Sequence, residues 1–287
     1  MILQMITNAF LVGGIYALMG IGFSLQWGIS GIINLSYGAM VILGAYISLE
    51  CFNIFQIDPF VSMIISGAIL FVIGAIIYRR LLQPLLKGGI IFTLILTFAV
   101  RLIVENITLK VWSANYRNLT LSYTGSNFQI GDVFFPLTKV LVFLIAIVLI
   151  YLTYLFMTNT KTGKGIQAVA LDTEGAQAVG IDVEKMYLIN FAFGTALAGV
   201  TGSLWASIYN FSPHLINAIT GKVFIIAILG GLGNIWGAAV GGLFLGIAET
   251  AGLAFFGAEW QEAIGLVIMV GILIWRPYGL IGKKFFG

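Results

Sequence analysis

Charged residues are scarce in this 287-residue chain. Lysine, arginine, aspartate and glutamate make up 9% of it, whereas soluble proteins contain roughly 25%, and 60% of its residues are hydrophobic. The mean hydropathy is +1.06. These values exclude an ordinary soluble domain. The net charge of +3 comes from scattered groups that form no basic stripe, so we expect no nucleic-acid partner.

Cysteine and histidine are almost absent too. The lone Cys51 excludes an intrachain disulfide and a cysteine metal cluster, and the lone His214 excludes a multi-histidine metal site. The Gly-Lys pairs lack the Ser or Thr that follows Gly-Lys in a phosphate loop, and they lack the glycine five residues earlier. We therefore expect no enzymatic activity, metal or cofactor in this chain, so that any energy must come from a partner. No basic region precedes the first apolar run, so we expect no cleaved signal peptide.

Long apolar runs fill most of the sequence. A helix needs about 20 apolar residues to cross a bilayer core of about 30 Å. Runs near this length lie at 6–27, 32–49, 59–78, 90–112, 137–157, 186–209, 235–256 and 260–275, and a shorter run lies at 222–229. The sequence predicts an all-α polytopic membrane protein with about eight or nine transmembrane helices or half-helices, forming one transmembrane domain over residues 1–287.

Basic residues between the runs predict the orientation of the chain, because positive charge concentrates on the cytoplasmic side. The basic groups are Arg79, Arg80 and Lys87, then Lys161, Lys164 and Lys185, and finally Arg276, Lys283 and Lys284. An even number of crossings separates the first two groups, so all three can be cytoplasmic and the polar loop 113–136 external. This arrangement requires residues 222–234 to act as a crossing or a half-helix. It also puts Met1 outside if the run 32–49 crosses fully.

Two apolar segments are interrupted, at 28–38 and at 230–237, where several glycines accompany an asparagine. Non-helical backbone at membrane depth is tolerated only where it is buried in protein or lines a wet cavity, and such interruptions in two halves of a chain point to a transport site. Gly38 and Gly237 are each followed twelve residues later by a glutamate. An internal repeat is one hypothesis, and chance among the 36 glycines is the alternative.

Polar residues within or beside these apolar segments are candidates for a path through the membrane. They are Asn34, Ser36, Tyr37, Gly38, Asn190, Thr195, Asn234 and Glu249. The hydroxyl and amide groups could instead hydrogen-bond between helices, as polar side chains commonly do in membrane bundles. Glu249 could line the path, or it could lie paired near the external interface. Arg101 and Glu105 lie four residues apart on one helix face and are predicted to form an ion pair.

The stretch 160–182 is too polar for the bilayer and separates the apolar runs of the second half. Alanines and glycines keep it slim, and we predict a short helix over 165–179 that Gly180 ends. A slim helix ending in glycine can enter a groove on another protein. A solvated cytoplasmic loop without a partner is the alternative, and composition alone does not decide between them.

Three sequence motifs follow one another along the chain. The first is Tyr16-Ala-Leu with Gly22 and the run 31–38 (GIINLSYG), and the third is the pair of runs 229–238 (LGGLGNIWGA) and 241–249 (GGLFLGIAE). The second comprises Thr160, Gly163, Ala168, Asp172, Glu174, Ala176, Gly180 and Ile181. Together they resemble the permeases of the branched-chain amino acid type of ABC importer, in order and at that family's spacing. Within the family the chain resembles the LivH-like subunit.

The resemblance implies a permease domain that pairs with a second, related permease in the cytoplasmic (inner) membrane of a bacterium or archaeon. It also implies two cytosolic ATPase subunits, which would bind ATP and Mg²⁺, and an external substrate-binding protein. The stretch 160–182 would be the coupling element, seated in a groove of an ATPase. The residues that the resemblance implicates in coupling are Gly163, Lys164, Ala168, Asp172, Glu174, Ala176 and Gly180.

Three residues depart from the family pattern, since Tyr37, Gln167 and Asn234 stand where His or Gln, a basic residue and Ser are common. Tyr37 weakens any inference about the substrate. Two other functions remain open: the same importer class acting on urea or short amides, and a channel or secondary transporter that works without ATPases. An ion-coupled carrier would need central ionisable groups, and only Glu249 and the Arg101–Glu105 pair are available.

Overall fold

Helices form nearly all the regular structure of the computed structural model, which describes residues 2–121, 123, 125–131, 133–276 and 279–281. In chain order the helices are α1 (Ile2–Ser30), α2 (Tyr37–Phe55), α3 (Pro59–Ile77), α4 (Gln83–Leu85), α5 (Ile90–Trp112), α6 (Leu137–Asn159), α7 (Lys161–Leu171), α8 (Thr173–Ala178), α9 (Val183–Ala206), α10 (Ile216–Gly230), α11 (Ile235–Phe256) and α12 (Gln261–Trp275). The strands β1 (Asn127–Ile130) and β2 (Val133–Pro136) form an antiparallel hairpin between α5 and α6. A π-helical turn, Tyr78–Leu82, joins α3 to α4, and short 3₁₀ turns precede α5, α10 and α12.

Nine helical segments in the described part of the chain are long and apolar enough to cross a membrane. The prediction of an all-α polytopic membrane protein is therefore confirmed. One of the nine is residues 213–230, in which α10 and the 3₁₀ turn before it together supply 18 residues. Helix α10 thus begins before the apolar run 222–229 that the sequence indicated, and its length favours a crossing over a half-helix.

Contacts between distant segments define two ends of the helical bundle. At the hairpin end, the Gln4 side chain exchanges two hydrogen bonds with the backbone of Phe134 on β2 (2.8 and 2.7 Å). At the opposite end, Gln83 donates to Glu184 at the start of α9 (2.6 Å). We call this the basic end, since it carries Arg79, Arg80, Lys161, Lys164, Lys185 and Arg276. Lys283 and Lys284 lie outside the described residues. By the positive-inside rule we expect the basic end to be cytoplasmic, and α1 begins at the other end.

Helix α1 is central and packs against α6, α9, α10 and α11. Glycines let its backbone approach α11 closely. A Cβ atom on Gly242 would overlap the backbone of Ala17, and one on Gly246 would lie 2.7 Å from the Cα of Gly13. A Cβ on Gly241 would lie 2.6 Å from the carbonyl oxygen of Ile226 on α10. The Gly-x-x-x-Gly spacings in α11 therefore serve contacts with α1 and α10, partners that the sequence did not identify.

One backbone prediction is confirmed and another is wrong. Residues 31–36 are not helical, in agreement with the interruption predicted at 28–38, and the apolar run 32–49 becomes a helix only from Tyr37 onwards. The stretch 160–182 forms two helices instead of the single helix predicted over 165–179. Its first helix ends at Leu171, and Asp172 caps the second by accepting the N–H of Gly175 at Oδ1 (3.0 Å). Gly180 has a φ of +84°, which suits the helix stop that was predicted there.

Candidate functional site

A network of buried polar side chains closes the break between α1 and α2. Asn34 donates to Gln26 Oε1 (2.9 Å) and accepts the N–H and the hydroxyl of Ser36 at Oδ1 (3.0 and 2.6 Å). Gln26 donates in turn to the carbonyl of Phe191 (2.8 Å) and to the hydroxyl of Thr195 (3.0 Å), both on α9. The side chains of this network are buried. They tie the broken segment to α1 and α9, and whether they also line a path stays a prediction.

Gln26 is the member of this network that sequence reasoning missed. It connects Asn34 to α9 and is fully buried in an otherwise apolar part of α1. The sequence did contain a signal: Gln26 is an amide inside an apolar run, where its side chain must find a hydrogen-bond partner, and Asn34 follows eight residues later. The sequence could not show that this partner would be Asn34.

The other candidates near this break are also buried, and two of them have unpaired polar atoms. Asn190 donates to the Leu25 carbonyl (2.9 Å), but its Oδ1 has no hydrogen-bond partner among the described residues. The Tyr37 hydroxyl is likewise unpaired within that part of the chain. Gly38 lies against Thr220 of α10, where a Cβ atom would overlap the threonine hydroxyl. Their role in a path stays a prediction.

The second break, between α10 and α11, packs on the last turns of α1. The N–H of Gly233 donates to the carbonyl and the hydroxyl of Ser24 (3.2 and 2.9 Å). Asn234 caps α11 by accepting the N–H of Gly237 at Oδ1 (3.1 Å), and it lines a cavity of about 370 Å³ together with Gln167 of α7. The second break therefore lies beside the predicted coupling element.

The proposed internal repeat stays a hypothesis. Both breaks precede a helix, but the two glutamates of the shared pattern have different partners. Glu50 accepts a hydrogen bond from Trp112 Nε1 (2.6 Å), whereas Glu249 pairs with a lysine.

Glu249 forms a buried ion pair with Lys222 of α10. Its Oε2 also accepts the Tyr16 hydroxyl (2.7 Å) and lies 3.3 Å from Gln261 Nε2. The Lys222 ammonium lies over the Tyr16 ring, 5.3 Å from its centroid. The contacts of Glu249 thus confirm the interpretation that it is a paired group. Lys222 was missed as its partner, because the sequence separates the two residues by 27 positions.

This ion pair lies beside a cavity of about 530 Å³ that opens towards the hairpin end. Its lining includes Tyr16, Trp205, Tyr209, Leu215, Ala218, Lys222 and Gln261, with Tyr116, Asn210 and Glu259 exposed at the rim. The cavity combines an aromatic wall with both signs of charge.

At the basic end, the predicted coupling residues divide into buried and exposed groups. Gly163, Ala176 and part of Ala168 pack against the bundle, whereas Lys164, Asp172, Glu174 and Gly180 are exposed. Gly163 forms a tight elbow after α6, since a Cβ there would overlap the carbonyl oxygen of Phe156. The predicted coupling element, residues 160–182, is thus fixed to the bundle by its small residues and presents its charges outward.

Two large apolar side chains of the coupling element are strongly exposed, and sequence reasoning missed both. Leu171 ends α7 and is 85% exposed, while Val179 follows α8 and is 77% exposed. Both lie in the polar stretch rather than in a membrane-spanning helix. The bilayer does not explain the exposure of these two side chains.

Comparisons with known proteins cover almost the whole chain. A family model described as the permease component of the branched-chain amino acid transport system matches residues 5–273. The high-affinity branched-chain amino acid transport system permease protein BraD of Pseudomonas aeruginosa is 28% identical, over 98% of this chain and 96% of BraD. LivH of Escherichia coli, named as the same kind of permease, is 25% identical over 98% of this chain and 96% of LivH. A probable branched-chain amino acid transport permease LivH of Methanocaldococcus jannaschii is 30% identical, over 97% of this chain and 92% of the relative.

Proposed function

Because the chain belongs to the family of permease components of branched-chain amino acid transport systems, we propose that it is one permease subunit of an ATP-driven importer of branched-chain or other apolar amino acids. As a single permease domain over residues 1–287, it contributes half of the pathway and a second, related permease contributes the other half. Two cytosolic ATPases drive the cycle, and an external binding protein delivers the substrate. The complex resides in the cytoplasmic membrane of a bacterium or archaeon.

The observation that carries this proposal is the coupling element with its exposed apolar side chains. Leu171 and Val179 lie in the same stretch as the exposed charged residues Lys164, Asp172 and Glu174, at the basic end. An ATPase groove would cover the apolar side chains and pair with the charges. The small residues Gly163 and Ala176 hold the element against the bundle, so force applied to it reaches the membrane helices directly.

The exposed face of α5 supports a second membrane subunit. Helix α5 is long enough to cross the bilayer. Its Arg101 and Glu105 form an ion pair of 3.5 Å that is only partly buried, and its Asn106 is exposed. Charged and amide groups facing lipid are costly. A partner permease that covers this face removes that cost.

Transport follows from movement of the coupling element. Gln167 of α7 donates to the Met157 carbonyl of α6 (3.0 Å), and its cavity includes Asn234 of the second break. ATP-driven closure of the ATPases moves α7, and the breaks at 31–36 and 231–234 let neighbouring helices change their packing. To shift the permease pair almost completely between its two states, ATP must favour one packing by about 5 kcal/mol.

Purification of the tagged chain from its host in mild detergent tests the partners. We expect a second permease and two ATPases to co-purify, and the complex in liposomes to take up leucine only with ATP and the binding protein. Uptake of urea or short amides instead of amino acids would move the proposal to that substrate class. A chain that transports alone, without ATP, would contradict the importer and favour a channel or secondary transporter.

A further inference from the structure

We infer that the Lys222–Glu249 ion pair is a binding site for the charged ends of a zwitterionic amino acid, in which Lys222 takes the carboxylate and Glu249 takes the ammonium group. The inference rests on the proposed function, because it places the substrate of that import on the hairpin side of this chain. It adds the residues that recognise the substrate and the reason why they select a zwitterion.

The pair can be reached from outside. Glu249 lies seven residues before the end of α11, which is about 10 Å of helix below its hairpin end. Lys222, Tyr16 and Gln261 line the cavity that opens there, and all three contact the Glu249 carboxylate. A solute that enters the cavity therefore meets the ammonium of Lys222 first and the groups around Glu249 next to it.

The ion pair selects among solutes because each of its two buried charges needs a counter-charge. A buried charge that loses its partner is strongly destabilising, so Lys222 and Glu249 can separate only if each gains a new counter-charge. An α-amino acid carries its ammonium and carboxylate groups on the same carbon atom and can supply both at once. A neutral molecule such as urea supplies neither charge, and a simple anion or cation leaves one of the two residues unpaired.

The walls of the cavity suit the remainder of an apolar amino acid. The volume of about 530 Å³ lies within the range of small-molecule sites. Trp205 and Tyr209 form an aromatic wall, with their ring centroids 4.6 Å apart, and Leu215 and Ala218 add aliphatic surface. The Trp205 Nε1 donor is buried and has no hydrogen-bond partner among the described residues. Buried donors are normally paired, so this donor lacks the usual compensation for its burial.

Protection from cysteine labelling tests this site with the ion pair intact. Ala218→Cys, in a Cys51→Ser background, places a thiol in the cavity wall of the full chain, purified with its partners in nanodiscs. The rate of modification by a neutral maleimide is measured in the presence of L-leucine, leucinamide or 4-methylpentanoate. Leucine carries both charged groups, leucinamide lacks the carboxylate, and 4-methylpentanoate lacks the ammonium group. We expect leucine at three times its Kd to slow labelling about fourfold, and the two singly charged analogues at the same concentration to have little effect.

Phe55→Cys in the same background is the control, because Phe55 is exposed at the hairpin end away from the cavity. Its labelling should not respond to leucine. Glu249→Gln combined with Ala218→Cys should lose the protection. Equal protection by all three compounds, or none by leucine, would overturn the inference. Uptake measured with the unsubstituted complex separates the two proposals: ATP-driven import without protection overturns only this site, and protection without ATP-driven import overturns only the importer.

Discussion

At the residue scale, the buried amides decide how the break between α1 and α2 is held. Gln26 and Asn34 satisfy each other and extend the network to α9. Backbone that leaves the helix inside a membrane loses its internal hydrogen bonds and must find others in the protein. The Leu35 N–H and the Ile33 carbonyl find theirs at the Thr97 hydroxyl of α5 (3.2 and 3.0 Å). The break is therefore a built structure that polar side chains maintain.

Gln26→Met should weaken the protein measurably. The substitution keeps the length of the side chain but removes the hydrogen bonds to Asn34, Phe191 and Thr195. Hydrogen bonds between membrane helices contribute about 0.6–1.7 kcal/mol each, so the thermal unfolding midpoint in mild detergent should fall. Gln129→Met, the same change at an exposed hairpin residue, is the matched control and should leave the midpoint unchanged. Equal midpoints for the two variants would mean that the network contributes nothing.

Local pairs could be predicted from the sequence, and distant pairs could not. Arg101 and Glu105 were expected to pair because a helix places residues four apart on one face, and the ion pair is confirmed at 3.5 Å. Lys222 and Glu249 lie on different helices, and only the packing of α10 against α11 brings them together. For Glu249 the sequence could indicate that a partner was needed, but not which residue supplies it.

At the element scale, glycine determines which helices touch. Helix α11 contacts α1 along a row of glycines, and contacts α10 at Gly230 and Gly241. Without a hydrophobic driving force between helices in lipid, such close packing supplies much of the association energy. The spacing of the glycines was readable from the sequence. Their partners were not, because every candidate membrane-spanning helix is apolar and glycine is common among them.

Gly242→Leu should separate α1 from α11. The new side chain would overlap the backbone of Ala17, which cannot rotate away as a side chain can. Overpacking of this kind costs about 1–3 kcal/mol or more, and the yield of monodisperse protein in detergent should fall with the unfolding midpoint. Gly271→Leu, in α12, is the control, because a Cβ there meets nothing within 4 Å. A Gly242 variant as stable as the Gly271 variant would contradict the packing described here.

The coupling element shows where element prediction failed for a physical reason that was present in the sequence. The helix expected over 165–179 is interrupted at Asp172, whose carboxylate accepts the N–H of Gly175 and thereby starts a new helix. Aspartate favours this capping role over a helix interior. The regular alanines and glycines on both sides suggested one continuous helix, and the cap between them was overlooked.

At the scale of the whole molecule, the two ends carry different structures. The hairpin end holds the cavity with its buried ion pair, and the basic end holds the proposed coupling element. Helix α1 connects the two ends. Its Tyr16 hydroxyl donates to Glu249, and its Ser24 accepts the N–H of Gly233 in the second break. A change in the packing of α7 can therefore reach the ion pair through a single helix. The order of the spans and their approximate number followed from the apolar runs, whereas this connection depends on tertiary contacts alone.

Leu171→Asp should detach the ATPases while leaving the permease folded. Leu171 is 85% exposed at the end of α7, so the aspartate meets solvent in the free chain and should change its unfolding midpoint little. In the complex the same charge would be buried against an ATPase groove without a partner, which costs several kcal/mol and should reduce ATPase co-purification at least tenfold. Phe55→Asp is the matched control, because Phe55 is 68% exposed at the hairpin end, where no ATPase can reach it. If both variants retain the ATPases equally, Leu171 is not part of the docking surface. The coupling proposal would then rest only on the charged side chains in the stretch 160–182.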